Sequence, residues 1–397
     1  MHQSRHQDTV ELTSDQVRTM TVETLMEHFN LVVKGYKFST EDIWNVVVAA
    51  SAQGQAIESA ANQLEDGPDP STVRLYLRSE LIDATTLEAL EAACNEALTA
   101  HLPPRIRGGV HKVAIDLTFI PYHGKAAKDP DEIRRGKAKS GTTRFHCYAT
   151  AYVIKKNKRV TLALTYVRGD DTLIEVLERL LARLQGLDVR LKRLYLDKQF
   201  YCVEVIRYFQ SRYPNLEVII PAIIRGKQGG TRALLRGRKS YRTIYTMNSP
   251  RYGEATFPVG VVRKYSKGRY GRHGVEWFAY VLLGCVRTPL HQIYQEYRLR
   301  FGIESTYRLM NRVRARTSSR SPGLRLLLVG IAMSLVNIWV YLKWAYLGWP
   351  RRGGREVWAE LFPLTMFKQF LLEGIKEIYG AVCSVSLPRD GTAMNRI

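Results

Sequence analysis

Residues 111–119 read HKVAIDLTF. Val113, Ile115 and Leu117 recur at every second position, the period of a strand with one buried face, and Asp116 falls on the opposite face. Working outward, residues 120–142 form a polar loop rich in Lys, Arg and Gly, and 143–154 and 159–167 are β-rich runs joined by a hairpin turn at 155–158. Asp170 and Asp171 then cap a helix whose Leu173, Val176, Leu177, Leu180, Leu181 and Leu184 make one apolar stripe. Residues 191–196 read as a strand ending on Asp197, followed by a helix near 200–212 and a strand at 216–221. A meander of three strands that passes through crossover helices into a parallel pair gives an α/β fold: a mixed sheet flanked by helices. In such a sheet the first strand can lie beside the fourth, bringing Asp116 and Asp197 together at one edge of the layer.

A second stretch, residues 297–311, reads YRLRFGIESTYRLMN. As one helix it places Tyr297, Arg300 and Glu304 on a common face, with Arg308, Arg312, Arg314 and Arg316 continuing it as a basic track that calls for an anion. A plain surface helix, with Glu304 paired to Arg300 and Arg308, explains the same residues. Between Asp197 and Glu304 the chain holds 19 Lys/Arg against 5 Asp/Glu. Strands are expected at 241–247, 255–265 and 275–286, making a β-rich insertion that grips phosphate through Arg225, Lys227, Arg232, Arg236, Arg238 and Lys239, with Tyr241 and Trp277 beside them. The alternative is a disordered basic loop, against which the aromatic content argues.

The net charge of +22 is unevenly placed: residues 1–100 carry 6 Lys/Arg and 16 Asp/Glu, the remainder 53 against 21. An acidic head on a basic body points to a nucleic-acid surface on residues 101–397. Cys94, Cys147, Cys202, Cys285 and Cys383 are scattered without a CxxC pair, which suits a reducing cytoplasm and argues against a zinc ribbon. No apolar leader opens the chain, so secretion is not expected. Residues 326–342 are uncharged, yet Gly330, Ser334 and Asn337 interrupt them, and Arg325 and Lys343 bound them. A buried helix is expected there, and no membrane partner.

The first 20 residues read as polar and frayed, followed by helices at 22–34 and 40–52. Residues 57–64, a Gly/Pro turn and 71–78 have the outline of a helix-turn-helix offering Arg74 and Arg78, an outline that any small helical bundle shares. The Pro/Gly-rich stretch at 103–109 marks a boundary. The expected division is an all-α domain at 1–104, a catalytic domain split into 105–221 and 291–348 around an insertion at 222–290, and a tail at 349–397 with a helix near 361–379.

Asp116, Asp197 and Glu304, in the contexts VAIDLT, LYLDKQFY and Tyr-x2-Arg-x3-Glu, resemble the acidic triad of the DDE transposases. More narrowly, residues 105–345 resemble the bacterial and archaeal insertion-sequence branch, ISH-type members included, whose last motif is Tyr-x2-Arg-x3-Glu-x6-Lys. Tyr297, Arg300 and Glu304 match it, whereas Asn311 stands at the Lys position with Arg312 next to it. The resemblance implies an RNase H-like sheet with a β insertion before the last catalytic helix. It also implies two Mg²⁺ ions, replaceable by Mn²⁺, with Asp116 bridging them and Asp197 and Glu304 holding one each. Cutting at the ends of a mobile element would free a 3′-OH that attacks target DNA. It further implies terminal inverted repeats as double-stranded DNA partner, a homodimer on paired ends and a place in the prokaryotic cytoplasm. Tyr297, Arg300, Arg308, Asn311 and Arg312 would position DNA, with Lys198 and His123 as further phosphate contacts. Two other functions remain open: an inactive or domesticated DNA-binding derivative, and a structure-selective nuclease.

Overall fold

A computed structural model describes residues 11–124, 132–155, 159–226, 230–267, 273–284, 286–352 and 354–384. Residues 1–10, residues 156–158 of the expected hairpin connection, Lys227 and Cys285 lie outside them.

The alternation in residues 111–119 produces β1 (Val110–Pro121), with Val113, Ile115 and Leu117 in one apolar layer and Ala114 and Ile120 in the other. β2 (Arg134–Lys139), β3 (Thr142–Val153) and β4 (Thr161–Val167) complete the meander: β1 runs antiparallel to β3, and β2 and β4 both pair with β3. The stripe at 173–184 becomes α6 (Leu173–Gly186), capped by Thr172 with Glu175 in a reciprocal box. β5 (Arg190–Leu196) lies parallel to β1, so the first and fourth strands of the expected set are neighbours. A 3₁₀ turn at Lys198–Phe200 and α7 (Val203–Arg212) lead to β6 (Glu217–Pro221), parallel to β5.

The basic insertion supplies β7 (Tyr241–Ser249), β8 (Gly253–Lys267) and β9 (His273–Leu283). These strands do not stand apart: β9 pairs antiparallel with β6, and one nine-stranded sheet results, ordered β2-β3-β1-β5-β6-β9-β8-β7 with β4 also on β3.

The chain departs from expectation at the stretch 297–311. It is not one helix but two, α8 (Leu290–Leu299) and α9 (Gly302–Arg312). Between them the ladder tightens to three-residue steps, Arg300 N–H to Tyr297 O, Phe301 to Arg298 and Ile303 to Arg300. Gly302 lets the turn press on β3: a Cβ there would stand 2.9 Å from the Tyr152 hydroxyl. The basic track is broken as well, since α9 stops at Arg312, and Arg314 is buried while Arg316 is exposed.

The N-terminal helices also start elsewhere. α1 spans Ser14–His28 because Thr13 and Gln16 form a capping box, so residues 14–20 are helical rather than frayed, and the helix has ended well before residue 34. α2 (Thr40–Gln53) and α3 (Ile57–Ala61) follow; α4 (Pro70–Tyr76) runs on as a π-helix through Leu77–Ile82, and α5 (Leu87–Thr99) closes the set. α10 (Pro322–Tyr346) is long and apolar enough to cross a membrane, yet residues 326–338 are all buried within the protein. A short hairpin, β10 (Gly348–Arg351) and β11 (Gly354–Val357), precedes α11 (Leu364–Tyr379). One apolar cluster runs from α1 and α2 through α10 and α11 to Ala114, Tyr148 and Tyr152 on the sheet, so the helical head and the sheet share a core.

Candidate active site

The site forms where α8 and α9 cross one face of the sheet. On β1 that face carries Ala114, Asp116 and Thr118; Thr150 on β3 lies opposite Asp116 in the antiparallel register. Asp197 is the residue immediately after β5, which runs beside β1, and Glu304 sits in the first turn of α9. The three acids come from separate elements and meet at Arg300, in the turn between the helices.

Arg300 is 4% exposed. Its Nη1 donates to Asp116 Oδ2 at 3.0 Å, and its Nη2 lies 3.2 Å from Asp197 Oδ1 and 3.7 Å from Glu304 Oε1. Asp116 Oδ1 accepts from the Leu117 amide at 2.9 Å. Burial pushes the Asp116 carboxyl up to about 7, opposed by the Arg300 charge and assisted by the nearby Asp197 charge. Burial works against the charge on Arg300, but Tyr297 and the three acids outweigh it and hold its pKa above the ordinary value. Openness rises from Asp116 to Glu304, whose side chain is 41% exposed, so the cluster faces solvent on the α9 side.

Residues behind the acids fix them. The Tyr307 hydroxyl donates to the Asp116 carbonyl at 2.9 Å and meets Thr150 Oγ1 at 2.7 Å, tying α9 to β1 and β3. The Tyr297 hydroxyl donates to the Leu196 carbonyl at 3.2 Å, next to Asp197, with its ring between Tyr195 and Tyr280. Below it, Glu296 gathers Lys112 at 2.6 Å, Arg193 at 2.5 Å and Tyr195 at 2.5 Å, and Arg193 also reaches Glu217 at 2.7 Å. That network clamps α8 to β1, β5 and β6, and so sets where Arg300 stands. Glu296, Tyr195 and Tyr307 were not singled out from the sequence. Glu296 and Arg193 lie 103 positions apart, and no local pattern announces such a pair.

The residues expected at DNA divide into two sets. Tyr297 and Arg300 are buried, at 6% and 4% exposure, and point into the protein rather than to a ligand surface. Lys198, next to Asp197, and Arg308, one turn from Glu304, are exposed; His123, beyond the end of β1, and Arg312, at the end of α9, are exposed as well, and Asn311 is half-buried, its carbonyl taken by Arg316 at 3.5 Å. Arg236, Arg238 and Lys239 are exposed ahead of β7. Arg74 and Arg78 are exposed but paired, to Glu58 and to Asp83 at 3.1 Å respectively, and the second helix of the expected helix-turn-helix runs into the π-helical turn.

All three carboxylates lie on the shell of one cation, the guanidinium of Arg300. Hard oxygen donors of this kind suit Mg²⁺ or Mn²⁺. In this arrangement Arg300 supplies the positive charge, and no group of three potential ligands at metal-binding spacing occurs among the described residues. Carboxylate oxygens are the right donor type for a divalent ion, but Arg300 occupies the centre they surround, and as they stand the three acids are not set at metal-binding spacing.

No family model matches the sequence, and no curated protein matches it. Among solved structures, a piggyBac transposase synaptic complex with hairpin DNA aligns with 96% of this chain and 73% of that chain, at 12% identity and a TM-score of 0.47. That likeness is too distant to carry an argument about function.

Proposed function

We propose that the chain is a DNA transposase of the DDE type, cutting at the ends of a mobile element and joining the freed 3′-OH to target DNA. The observation that carries this is the convergence of Asp116, Asp197 and Glu304, from two parallel strands and a helix, on one cationic centre open to solvent at Glu304. Asp116, Asp197 and Glu304 are the residues that would hold divalent ions, which when bound supply Lewis-acid stabilisation of charge on the entering and leaving oxygens. Arg300 keeps the three acids together before any ion arrives, offsetting their mutual repulsion. Tyr307 and Tyr297 hold the backbone on either side of the acids, and the Glu296 network holds α8. Exposed Lys198, His123, Arg308, Arg312, Arg236, Arg238 and Lys239 supply phosphate contacts that set the strand against the acids.

A second reading is favoured by Arg300 itself. A guanidinium engaged by all three acids suits a derivative that holds DNA without cutting it. Incubating the purified chain with DNA that flanks its own coding region, with and without Mg²⁺, separates the two. Mg²⁺-dependent nicking at matched repeats supports the enzyme. DNA retention with no nicking at any Mg²⁺ or Mn²⁺ concentration leaves only the binding protein, and preferential cutting of branched DNA indicates a structure-selective nuclease.

A further inference from the structure

Beneath the segment that leads from α9 to α10, several polar groups are buried that the proposed chemistry does not use. Arg314 is 9% exposed; its Nε has no hydrogen-bond partner, and no carboxylate pairs with it among the described residues. Tyr148 on β3 is fully buried with its hydroxyl unpartnered, and His146, on the same face of that strand, is 1% exposed with both ring nitrogens unpartnered. Arg325 closes the group: its Nε donates to the Ser319 carbonyl at 2.7 Å, and its guanidinium lies 5.4 Å from the centre of the Tyr122 ring. That ring stands edge-on to His146 at 5.1 Å.

Arg314 is a buried charge with no acid paired to it among the described residues, which proteins rarely tolerate, and half-buried Arg325 adds a second positive charge beside it. Burial first, then the charges of Arg316 and Arg325, bring Arg314 down to about 10; burial and Arg325 press His146 down to about 3. Every unpartnered atom here except one ring nitrogen of neutral His146 can donate a hydrogen bond. Donors carrying net positive charge suit an oxyanion. Tyr148 lies opposite Thr118, while Asp116 lies opposite Thr150, so the group sits two strand residues, about 7 Å, from Asp116 on the same face. A cavity of about 240 Å³ lies on the far side of Tyr166, whose ring is 5.5 Å from that of Tyr148; it is lined by Glu132, Arg168 and Ser321 among others and by none of Arg314, Arg325, Tyr148 and His146.

We propose that Arg314, Arg325, Tyr148 and His146 form a binding site for a phosphate-type oxyanion, distinct from the acid cluster and alongside it on the sheet. The site takes a free phosphate or a phosphate of a nucleic-acid strand by the same donors, and it stands whether or not the chain cuts DNA.

Thermal unfolding of the full chain, with inorganic phosphate replacing chloride at constant ionic strength, tests it. The wild type is expected to show a saturable rise in Tm. Arg314→Met is expected to lose the response and, in phosphate-free buffer, to be no less stable than the wild type. Tyr148→Phe, which keeps the ring, is expected to bind phosphate roughly tenfold more weakly, a loss of about 1.4 kcal/mol. Displacement of bound phosphate by a short oligonucleotide assigns the site to a strand; no displacement assigns it to the free anion. The proposal is overturned if the wild type responds to phosphate no more than to chloride, or if Tyr148→Phe binds phosphate as the wild type does.

Discussion

Arg300 decides how the acid cluster behaves, because among the described residues it is the one cation within 3.7 Å of all three carboxylates. Removing it leaves three acids facing one another without their ion-pair partner among the described residues. Arg300→Gln is therefore expected to raise divalent-cation affinity at least roughly tenfold, given Coulomb energies of a few kcal/mol at these distances. Isothermal titration with Mn²⁺ measures this, and an unchanged affinity would mean that Arg300 does not compete for the site. His146 makes a separate prediction about acid stability. Its folded-state pKa, near 3, lies below the ordinary 6.5, held down by burial and by Arg325, with Tyr122 against its ring. Below pH 6.5 the unfolded chain takes up a proton that the folded chain refuses, so His146 costs stability as the pH falls from about 6.5 towards 3, and nothing above that range. The slope is about 1.4 kcal/mol per pH unit. Urea unfolding at pH 6 and pH 5 in phosphate-free buffer should show a shallower loss in His146→Phe than in the wild type; equal slopes would contradict the assignment.

At the scale of elements, Gly330 shows how closely α10 is seated. A Cβ at that position would meet Cys94 Sγ at 2.4 Å and Cys94 Cβ at 2.8 Å, where α5 crosses α10. Gly330→Ala should cost about 1–3 kcal/mol through overpacking, despite its better helix propensity, and the double variant with Cys94→Ala should recover most of it. A Gly330→Ala chain as stable as the wild type would mean that the two helices are less tightly packed than described. The burial of α10 was legible because Gly330, Ser334 and Asn337 interrupt the apolar run, and Asn337 does bond across the core to Thr161 and Leu98. The strand order from β1 to β6 was legible for a similar reason: period-two alternation and the leucine stripe of α6 are local signals. The break between α8 and α9 was not. Propensity favours a continuous helix over 297–311, and only the contact of Gly302 with Tyr152, 150 positions away, explains the turn. The start of α1 could have been found, since Thr13 followed three residues later by Gln16 is a capping-box pattern.

For the molecule as a whole, the shared core is what the sequence hid. The Pro/Gly-rich stretch at 103–109, with helical spacing before it and alternating spacing after it, suggested a domain boundary. Yet α11 packs on α1 and α2, and the Tyr379 hydroxyl is held by Asp42 and by Asn45 at 3.0 Å. Leu364, Phe367, Leu371, Ile375 and Tyr379 are buried in that contact. Five such side chains represent on the order of 8–15 kcal/mol as an upper bound, comparable to the stability of an entire domain. Truncation after residue 363 should therefore unfold the N-terminal helices along with the tail, seen as lost helical circular dichroism beyond that of α11 alone; loss confined to α11 would argue for separate units. The central claim concerns the three acids, and strand cleavage measured under single turnover tests it most directly. With Mg²⁺ and DNA carrying the matched repeats, Asp116→Asn, Asp197→Asn and Glu304→Gln should each lower the cleavage rate by roughly a thousandfold or more, a loss of at least about 4 kcal/mol of transition-state stabilisation, while DNA affinity stays within about twofold, under about 0.5 kcal/mol. Cleavage at the wild-type rate by any one of the three variants would contradict it.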